Sequence, residues 1–141
     1  MKSLKVGFTG TQEGATLKQV TALSKFFVKY LVNEFHHGDC IGADAHAHSI
    51  ACSWNTKNII IHPPIKTVKR AYCDKLYTVN KQTAIMILSP KDYLARNKDI
   101  VNDTDVLIAC PKTLTEEQRS GTWSTVRYAR KMGKKVIILE P

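Results

Sequence analysis

Three loops rich in glycine and hydroxyl residues are the part of this sequence best suited to chemistry. They span residues 9–14 (TGTQEG), 38–44 (GDCIGAD) and 119–122 (RSGT), and each precedes a predicted helix. Glycine lets the backbone approach a ligand, and the N–H groups and positive dipole end of a helix favour a phosphate or carboxylate. A single loop of this kind is more often only a tight strand-to-helix turn. Three on one sheet edge instead predict an anion-binding site.

The first loop does not match the two best-known phosphate-binding patterns. Its sequence is neither G-x-G-x-x-G nor G-x-x-x-x-G-K-[ST]. Neither a standard dinucleotide fingerprint nor a Walker nucleotide loop is therefore predicted.

Charged and amide side chains near these loops are the polar candidates. A carboxylate at Asp39 or Asp44 would accept hydrogen bonds from ribose hydroxyls, although Asp44 could instead cap its helix. Arg96 and Asn97 lie on a later predicted helix. Arg96 shares one face of that helix with Asp99 and Asp103, at steps of three and four residues. The alternative is therefore an internal ion-pair face.

Several histidines and one cysteine near the second loop are of the residue types that bind zinc. They are His36, His37, His46, His48 and Cys40. Their spacing matches no recognised metal motif, and residues two apart on a helix, such as His46 and His48, point to different sides. We therefore expect no metal site and no bound cofactor. Cys40 is a candidate nucleophile because a helix N-terminus lowers a thiol pKa, but a buried turn cysteine is more common.

The elements that must position these residues alternate between strands and helices. Apolar runs predict strands at 4–9, 34–37, 58–62, 105–109 and 136–139, the last of them an interior strand, and 84–88 is a possible strand without an assigned place. Helical periodicity covers 17–31, 43–54, 93–103 and 123–132, with Thr16 as a helix cap. This alternation predicts one α/β domain over 1–141, a three-layer Rossmann-like parallel sheet of about five strands with flanking helices. Ligands bind beyond the carboxyl ends of such strands.

Composition limits the location and the partner. The chain has 141 residues, four widely spaced cysteines and a formal net charge of +9. We expect reduced thiols and a cytoplasmic protein, because we find no signal core and no apolar run of the ~18 residues that a membrane helix needs. The charge favours an anionic partner, either a phosphorylated ligand or nucleic acid, although excess lysine is often only a solvated surface.

A basic segment carries the nucleic-acid hypothesis. Cations interleaved with aromatic rings are typical of single-strand binding. The alternative is a mobile basic loop that closes over a phosphorylated ligand, and nucleic acid is the less favoured partner. The residues concerned are Lys57, Lys66, Lys69, Arg70, Tyr72, Lys75 and Tyr77.

Aromatic residues also suggest self-association. Phe26, Tyr30 and Trp54 could supply an exposed apolar patch. We expect a homodimer or higher homo-oligomer, because related folds pair through their helices.

Five segments, in their order along the chain, resemble one protein family. They are Gly10-Thr11 after the first strand, HHGDCIGAD at 36–44, YLARN at 93–97, DVLIACP at 105–111 and SGTW at 120–123. This order resembles the SLOG superfamily, a Rossmann-like group that includes the lonely-guy phosphoribohydrolases and DprA. The chain is most similar to its small stand-alone members of the YspA and cpYpsA type.

The resemblance implies a nucleotide or nucleotide-derived ligand, with phosphate or ribose near the first loop and near Gly121-Thr122. Arg96 matches the family's arginine position. The phosphoribohydrolases carry a glutamate pair after their glycine-rich segment, but here Ser124 and Thr125 follow. A hydroxyl does not replace a titratable general acid or base, so the resemblance leaves catalysis open.

Together these observations predict a protein that binds a nucleotide or an ADP-ribose-like ligand at the carboxyl edge of a parallel sheet, as a sensor or binding protein. One alternative is an N-glycosidase or phosphoribohydrolase acting on nucleoside monophosphates, with Asp39, Asp44 or Glu13 as the carboxylate. The other is a DprA-like binder of single-stranded nucleic acid. The predicted ligand-binding residues are Gly10, Thr11, Gln12, Gly38, Asp39, Gly42, Ala43, Asp44, Arg96, Asn97, Pro111, Ser120, Gly121 and Thr122.

Overall fold

The chain folds around a parallel six-stranded sheet. The computed structural model describes residues 2–76 and 82–141. Its strands are β1 (Ser3–Gly10), β2 (Leu31–His37), β3 (Asn58–Ile61), β4 (Ala84–Ile87), β5 (Val106–Cys110) and β6 (Lys135–Ile138). Its helices are α1 (Leu17–Lys29), α2 (Ala43–Ser53), α3 (Cys73–Leu76), α4 (Tyr93–Asn102) and α5 (Gly121–Lys131). The predicted Rossmann-like α/β class is confirmed, with six strands where about five were expected.

The strand order places a reversal in the middle of the sheet. Every neighbouring pair is parallel, and the order is β4-β3-β2-β1-β5-β6. The chain first moves outward from β1 to β4 and then crosses back to β5 on the other side of β1. The carboxyl ends of β1 and β5 therefore flank the topological switch point, where folds of this type bind ligands.

Two apolar layers cover the two faces of the sheet. Val106, Ile108 and Cys110 of β5 face the layer that contains α1 and α2, whereas Leu107 and Ala109 face the layer that contains α4 and α5. All five residues of β5 are buried. The side-chain alternation of a strand explains how one continuous apolar run serves both cores.

A buried glutamine fixes the start of α1 against the sheet. Thr16 caps α1 by accepting a hydrogen bond from the N–H of Gln19, and the Gln19 side chain accepts from the N–H of Thr16 in return. The predicted cap at Thr16 is confirmed. The Nε2 of Gln19 also donates to the carbonyls of Pro111 (2.9 Å) and Leu139 (3.0 Å). The helix is thereby joined to the segments that follow β5 and β6.

The predicted interior position of the last strand is wrong, because β6 is an edge strand. Val136 and Ile138 pack against one layer, and Ile137 and Leu139 pack against the other. An apolar run indicates that both faces of a strand are covered. It does not indicate whether another strand is hydrogen-bonded along each edge of it. The unplaced segment at 84–88 forms β4 at the opposite edge, paired with β3.

The helical stripe predicted for 17–31 is also too long. Leu31 begins β2, and Leu17 is 82% exposed in the first turn of α1. Leu94 of α4, which the period turned inward, is 64% exposed. Apolar residues at helix ends satisfy the period without reaching the core. Among the described residues, no helix has the length and apolar character needed to cross a membrane.

Candidate ligand-binding site at the carboxyl edge of the sheet

A cavity of about 510 Å³ opens where β1 and β5 end. Its wall combines the loop after β1, the loop after β2, one face of α4 and the first turn of α5. Ten of the fourteen residues predicted from the sequence contribute to it, namely Gly10, Thr11, Gln12, Gly38, Asp44, Arg96, Asn97, Ser120, Gly121 and Thr122. The fold therefore brings the three glycine-bearing loops to one place.

Three predicted residues lie behind the wall and hold the loops together. Gly42 has a φ of 89°, and a Cβ there would lie 2.3 Å from the carbonyl oxygen of Gln12. The N–H of Ala43 donates to the carbonyl of Thr11 at 2.9 Å. The carbonyl of Pro111 is occupied by Gln19. These residues shape the cavity and do not line it.

Asp39 is the fourth residue outside the cavity wall. Its buried carboxylate forms a salt bridge with Arg70 at 2.9 Å and accepts a hydrogen bond from the N–H of Cys73 at 2.9 Å. Its carbonyl accepts from the N–H of Ala71 at 2.7 Å. Asp39 is thus used to hold residues 70–73 against the end of β2, and the structure does not place it where it would meet a ribose in this cavity.

Arg96 is buried at the floor of the cavity. Its guanidinium donates to the carbonyls of Gly38 and His62 and contacts the Cys40 sulfur at 3.4 Å, while its Nε donates to Asn97. A Cβ on Gly38 would lie 2.4 Å from the guanidinium, so glycine is needed for this approach.

The expected ion-pair face is absent from the part of the chain that the structure describes. Arg96 forms no salt bridge there, and Asp99 instead pairs with Lys91 at 2.6 Å. The spacing that suggested the face is present, but Arg96 turns toward the cavity and Asp99 turns toward solvent.

Asp44 is the buried carboxyl group of the cavity. It lies in the first turn of α2, where its Oδ2 accepts a hydrogen bond from the N–H of Cys40 at 3.1 Å. Burial raises the pKa of Asp44 to about 6, although the Arg96 guanidinium and the backbone N–H groups of Cys40 and Gly38 oppose the rise. A carboxyl group that titrates near 6 inside a cavity is suited to proton transfer near neutral pH. The side chain does not cap α2, whose N-cap is Gly42.

Cys40 does not have the properties of an activated nucleophile. Burial raises the pKa of its thiol, the nearby Asp44 carboxyl adds to the rise, and Arg96 only partly opposes it. Desolvation of the thiolate is the largest cause of the rise. The buried position of Cys40 agrees with the alternative of a buried turn cysteine. The four cysteines form no disulfide among the described residues.

The mouth of the cavity is polar and open. Lys112 forms a salt bridge with Glu13 at 3.1 Å, and both side chains are more than half exposed. Ser120 caps α5 by accepting a hydrogen bond from the N–H of Trp123 at 3.3 Å. At Gly121 an added Cβ would meet no protein atom within 4 Å. The start of α5 therefore faces open space.

Sequence reasoning missed two useful lining residues. Tyr93 lies one turn before Arg96, and its ring stacks on the guanidinium with 5.3 Å between the guanidinium carbon and the ring centroid. Lys112 follows directly after Pro111 at the end of β5. The i, i+3 spacing to Arg96 could have identified Tyr93, and the position after a central strand could have identified Lys112.

Two histidine pairs flank β2, and sequence reasoning did not find their partners. His36 contacts His62 at 2.8 Å on one face of the sheet, and His37 contacts His48 at 2.9 Å on the other. Burial lowers the pKa of all four, that of His62 to about 4. Cys73 completes a potential metal-ligand group with His37 and His48, and Asp103 completes one with His36 and His62. The sequence signal that could have found His62 is its position directly after β3, because β3 pairs with β2 and so brings His62 beside His36.

His46 takes no part in either pair. Its Nδ1 accepts a hydrogen bond from the N–H of Ala15 at 3.1 Å. The expectation that His46 and His48 point to different sides of one helix is confirmed.

The basic segment is partly held in place by its own contacts. Arg70 and Lys75 both lie over the ring of Tyr72, at 4.5 and 5.2 Å from its centroid, and Arg70 is bound to Asp39. These contacts occupy two of the cations and the ring proposed for base stacking. Tyr77 lies outside the described residues.

Several solved protein structures resemble this chain in fold. No protein-family model matches the sequence, and no curated protein matches it significantly. A molybdenum cofactor binding protein from Rippkaea orientalis has a TM-score of 0.65 and 24% identity, with 98% of this chain and 77% of that chain covered. The chain therefore shares the Rossmann-like α/β fold of that protein.

Two further structures support this conclusion. DNA processing protein A (DprA) from Streptococcus pneumoniae has a TM-score of 0.68 and 19% identity, covering 95% of this chain and 49% of that one, so this chain spans about half its length. The structural-genomics target TM1055 has a TM-score of 0.62 and 14% identity, covering 96% and 72%. The resemblance inferred from the sequence is thus confirmed at the level of the fold.

The raised pKa of Asp44 predicts how stability depends on pH. The ordinary pKa of 3.8 applies to the unfolded chain and a pKa of about 6 to the fold, so between these values the fold binds more protons. Lowering the pH from 7 to 4 should therefore increase the free energy of unfolding of the wild type relative to Asp44→Asn, by up to about 3 kcal/mol. Urea unfolding of both proteins across this range measures the difference. A constant difference would contradict the assignment.

Proposed function

We propose that this protein binds a nucleotide or a nucleotide-derived, ADP-ribose-like ligand in the cavity at the carboxyl edge of its sheet, as a sensor or binding protein. The observation that carries the proposal is the convergence of three glycine-bearing loops and Arg96 on one cavity at the topological switch point. A cavity of about 510 Å³ is large enough for a ligand of this class.

The start of α5 supplies the candidate phosphate site. Ser120, Gly121 and Thr122 line the cavity, and a helix N-terminus favours an anion through its N–H groups and dipole. The space around Gly121 lets a phosphate approach the backbone. Arg96 adds a fixed positive charge at the floor, and its main-chain partners hold it in place before any ligand arrives. This preorganisation favours anion binding.

The remaining walls suit the sugar and the base. Asp44 offers carboxylate oxygens to ribose hydroxyls, and Tyr93, whose ring contacts the Arg96 guanidinium, adds an aromatic wall to the cavity. The Lys112–Glu13 pair at the mouth places a further cation within reach of a phosphate. The structural neighbours described as a molybdenum cofactor binding protein and as DprA support a small-molecule or nucleic-acid partner for this fold, and the cavity favours the small molecule.

The substitution Gly121→Val tests this proposal. We expect the wild type to be stabilised by at least one member of a panel of mononucleotides, dinucleotides, cyclic nucleotides and ADP-ribose. Ligand at ~100 times its dissociation constant adds about 2.7 kcal/mol, which thermal shift detects readily. Gly121→Val should fold normally, because its added atoms enter open space, and should bind about tenfold more weakly or worse.

Ser3→Val is the matched control, since it adds an exposed valine at the opposite end of β1. Its affinity should equal that of the wild type. The proposal fails if no panel member stabilises the wild type at millimolar concentration, or if Gly121→Val binds as well as Ser3→Val.

Asp44 favours a second candidate function, hydrolysis of an N-glycosidic bond. In this reaction water adds to the sugar carbon C1′, the bond from C1′ to the base breaks, and a proton passes to the departing base. A carboxyl group with a pKa of about 6 beside Arg96 can exchange that proton. Thr125 cannot replace the missing glutamate, since its hydroxyl donates to the Gly121 carbonyl within α5.

Release of free base from nucleoside monophosphates distinguishes the two functions. If the protein is an N-glycosidase, chromatography should detect free base with the wild type and with Glu13→Gln, whose carboxylate lies at the exposed mouth. The same assay with Asp44→Asn should show release reduced by about 100-fold or more. Absence of release by the wild type, together with nucleotide binding, would leave a binding protein without this activity.

Three further expectations stay predictions. Single-stranded nucleic acid is the remaining alternative partner, and the internal contacts of Arg70 and Tyr72 weaken it. Homo-oligomerisation rests on Trp54, which is 47% exposed, and on the neighbouring, tilted rings of Phe26 and Tyr30. A cytoplasmic location rests on sequence alone.

A further inference from the structure

A second group of polar side chains lies away from the cavity, between β2, β3 and α4. His36 Nδ1 and His62 Nε2 are 2.8 Å apart. A carboxylate oxygen of Asp103 and one ring nitrogen of each histidine all lie within 4.8 Å of one another. Both histidines are buried, and Asp103 is exposed at the C-cap of α4. None of the three residues lines the ligand cavity. Two imidazoles and one carboxylate are a common zinc-binding set.

Glu34 fixes the proton on His36. Its Oε1 lies 2.9 Å from His36 Nε2, so that nitrogen carries the proton and donates it to the carboxylate. The opposite nitrogen, Nδ1, then presents its lone pair toward His62. This is the arrangement found around metal-ligating histidines, where a carboxylate on the far side orients the ring and raises its basicity.

The cluster on the other face of the sheet has the reverse arrangement. There His37 Nδ1 accepts a hydrogen bond from the backbone N–H of Asp39 at 3.0 Å. Its other nitrogen therefore carries the proton and faces His48 at 2.9 Å. A metal would need a lone pair at that position. In this cluster the histidine whose tautomer is fixed, His37, therefore directs its N–H inward, whereas in the other cluster the fixed histidine, His36, directs its lone pair inward.

We propose that His36, His62 and Asp103 bind a divalent transition-metal ion of the zinc class, with Glu34 as the positioning residue for His36. Water completes the coordination shell. At Zn–N distances of 2.0–2.1 Å, two tetrahedral ligands lie about 3.3 Å apart, so the two imidazoles must separate by about 0.5 Å from their hydrogen-bonded distance. Rotation of the exposed Asp103 side chain brings its carboxylate to the ion.

The position of this site gives it a structural role. It joins β2, the end of β3 and the C-terminus of α4 through one residue each. The main-chain carbonyl of His62 also accepts a hydrogen bond from Arg96 at 3.1 Å. A bound ion would therefore hold the segment that positions Arg96 while remaining outside the cavity.

Zinc titration of the untagged, chelator-treated full chain tests the proposal. Calorimetry should show one Zn²⁺ bound per chain, and Co²⁺ should give the visible absorption bands of a tetrahedral site. Asp103→Asn and His62→Gln should each weaken Zn²⁺ binding by about tenfold or more, and Glu34→Gln should weaken it by about 10- to 100-fold. Circular dichroism confirms that each variant is folded, and the exposed Asp103→Asn decides the matter if His62→Gln does not fold.

Two variants are matched controls. Asp99→Asn removes a carboxylate one turn earlier on α4, where it pairs with Lys91, and Cys73→Ser removes the sulfur of the opposite cluster. Both should bind Zn²⁺ like the wild type. The proposal is overturned if the wild type binds no Zn²⁺ at micromolar concentration, if Asp103→Asn binds unchanged, or if Cys73→Ser abolishes binding. Because no cavity residue is altered, nucleotide binding can be measured separately.

Discussion

The buried guanidinium of Arg96 is the constraint on which the candidate site depends. A buried charge is tolerated only where hydrogen bonds and opposite charge compensate its desolvation. Here the carbonyls of Gly38 after β2 and His62 after β3 accept hydrogen bonds from Arg96, and the Asp44 carboxyl of α2 interacts with it electrostatically. One side chain of α4 thus connects three other elements. Glycine at position 38 follows directly, because a Cβ there would collide with the guanidinium.

The sheet topology explains why this connection occurs beside a cavity. β1 and β5 are neighbours in the sheet, yet the chain leaves them toward opposite faces, so the loops that follow them diverge and leave a gap. The loop after β2 closes one side of the gap and α5 closes the other. Glycines at 10 and 42 let the first two loops pack against each other, since an added Cβ at either position would lie within 2.5 Å of an atom of the other loop.

Much of this arrangement could be predicted from the sequence. Apolar runs that alternate with helical periods identified the central strands, because strands buried on both faces are apolar along their whole length. Since ligands bind beyond the carboxyl ends of such strands, the loops that follow them were then the candidate site. Periodicity could not distinguish the edge position of β6 from an interior one. Asp39 and Asp44 looked equivalent in sequence, and only the fold shows that Asp39 is committed to Arg70 while Asp44 reaches the cavity. The partner of His36 was missed because it depends on strand pairing.

The central claim is that the cavity beside Arg96 is the ligand site. Its most direct test is an amide-resolved NMR titration, using the panel nucleotide that gives the largest thermal shift. The account predicts that the perturbed amides cluster at Gly10, Thr11, Gly38, Gly121 and Thr122, which line the cavity. Perturbations confined to residues 66–75, or to the surface around Tyr30, would contradict it.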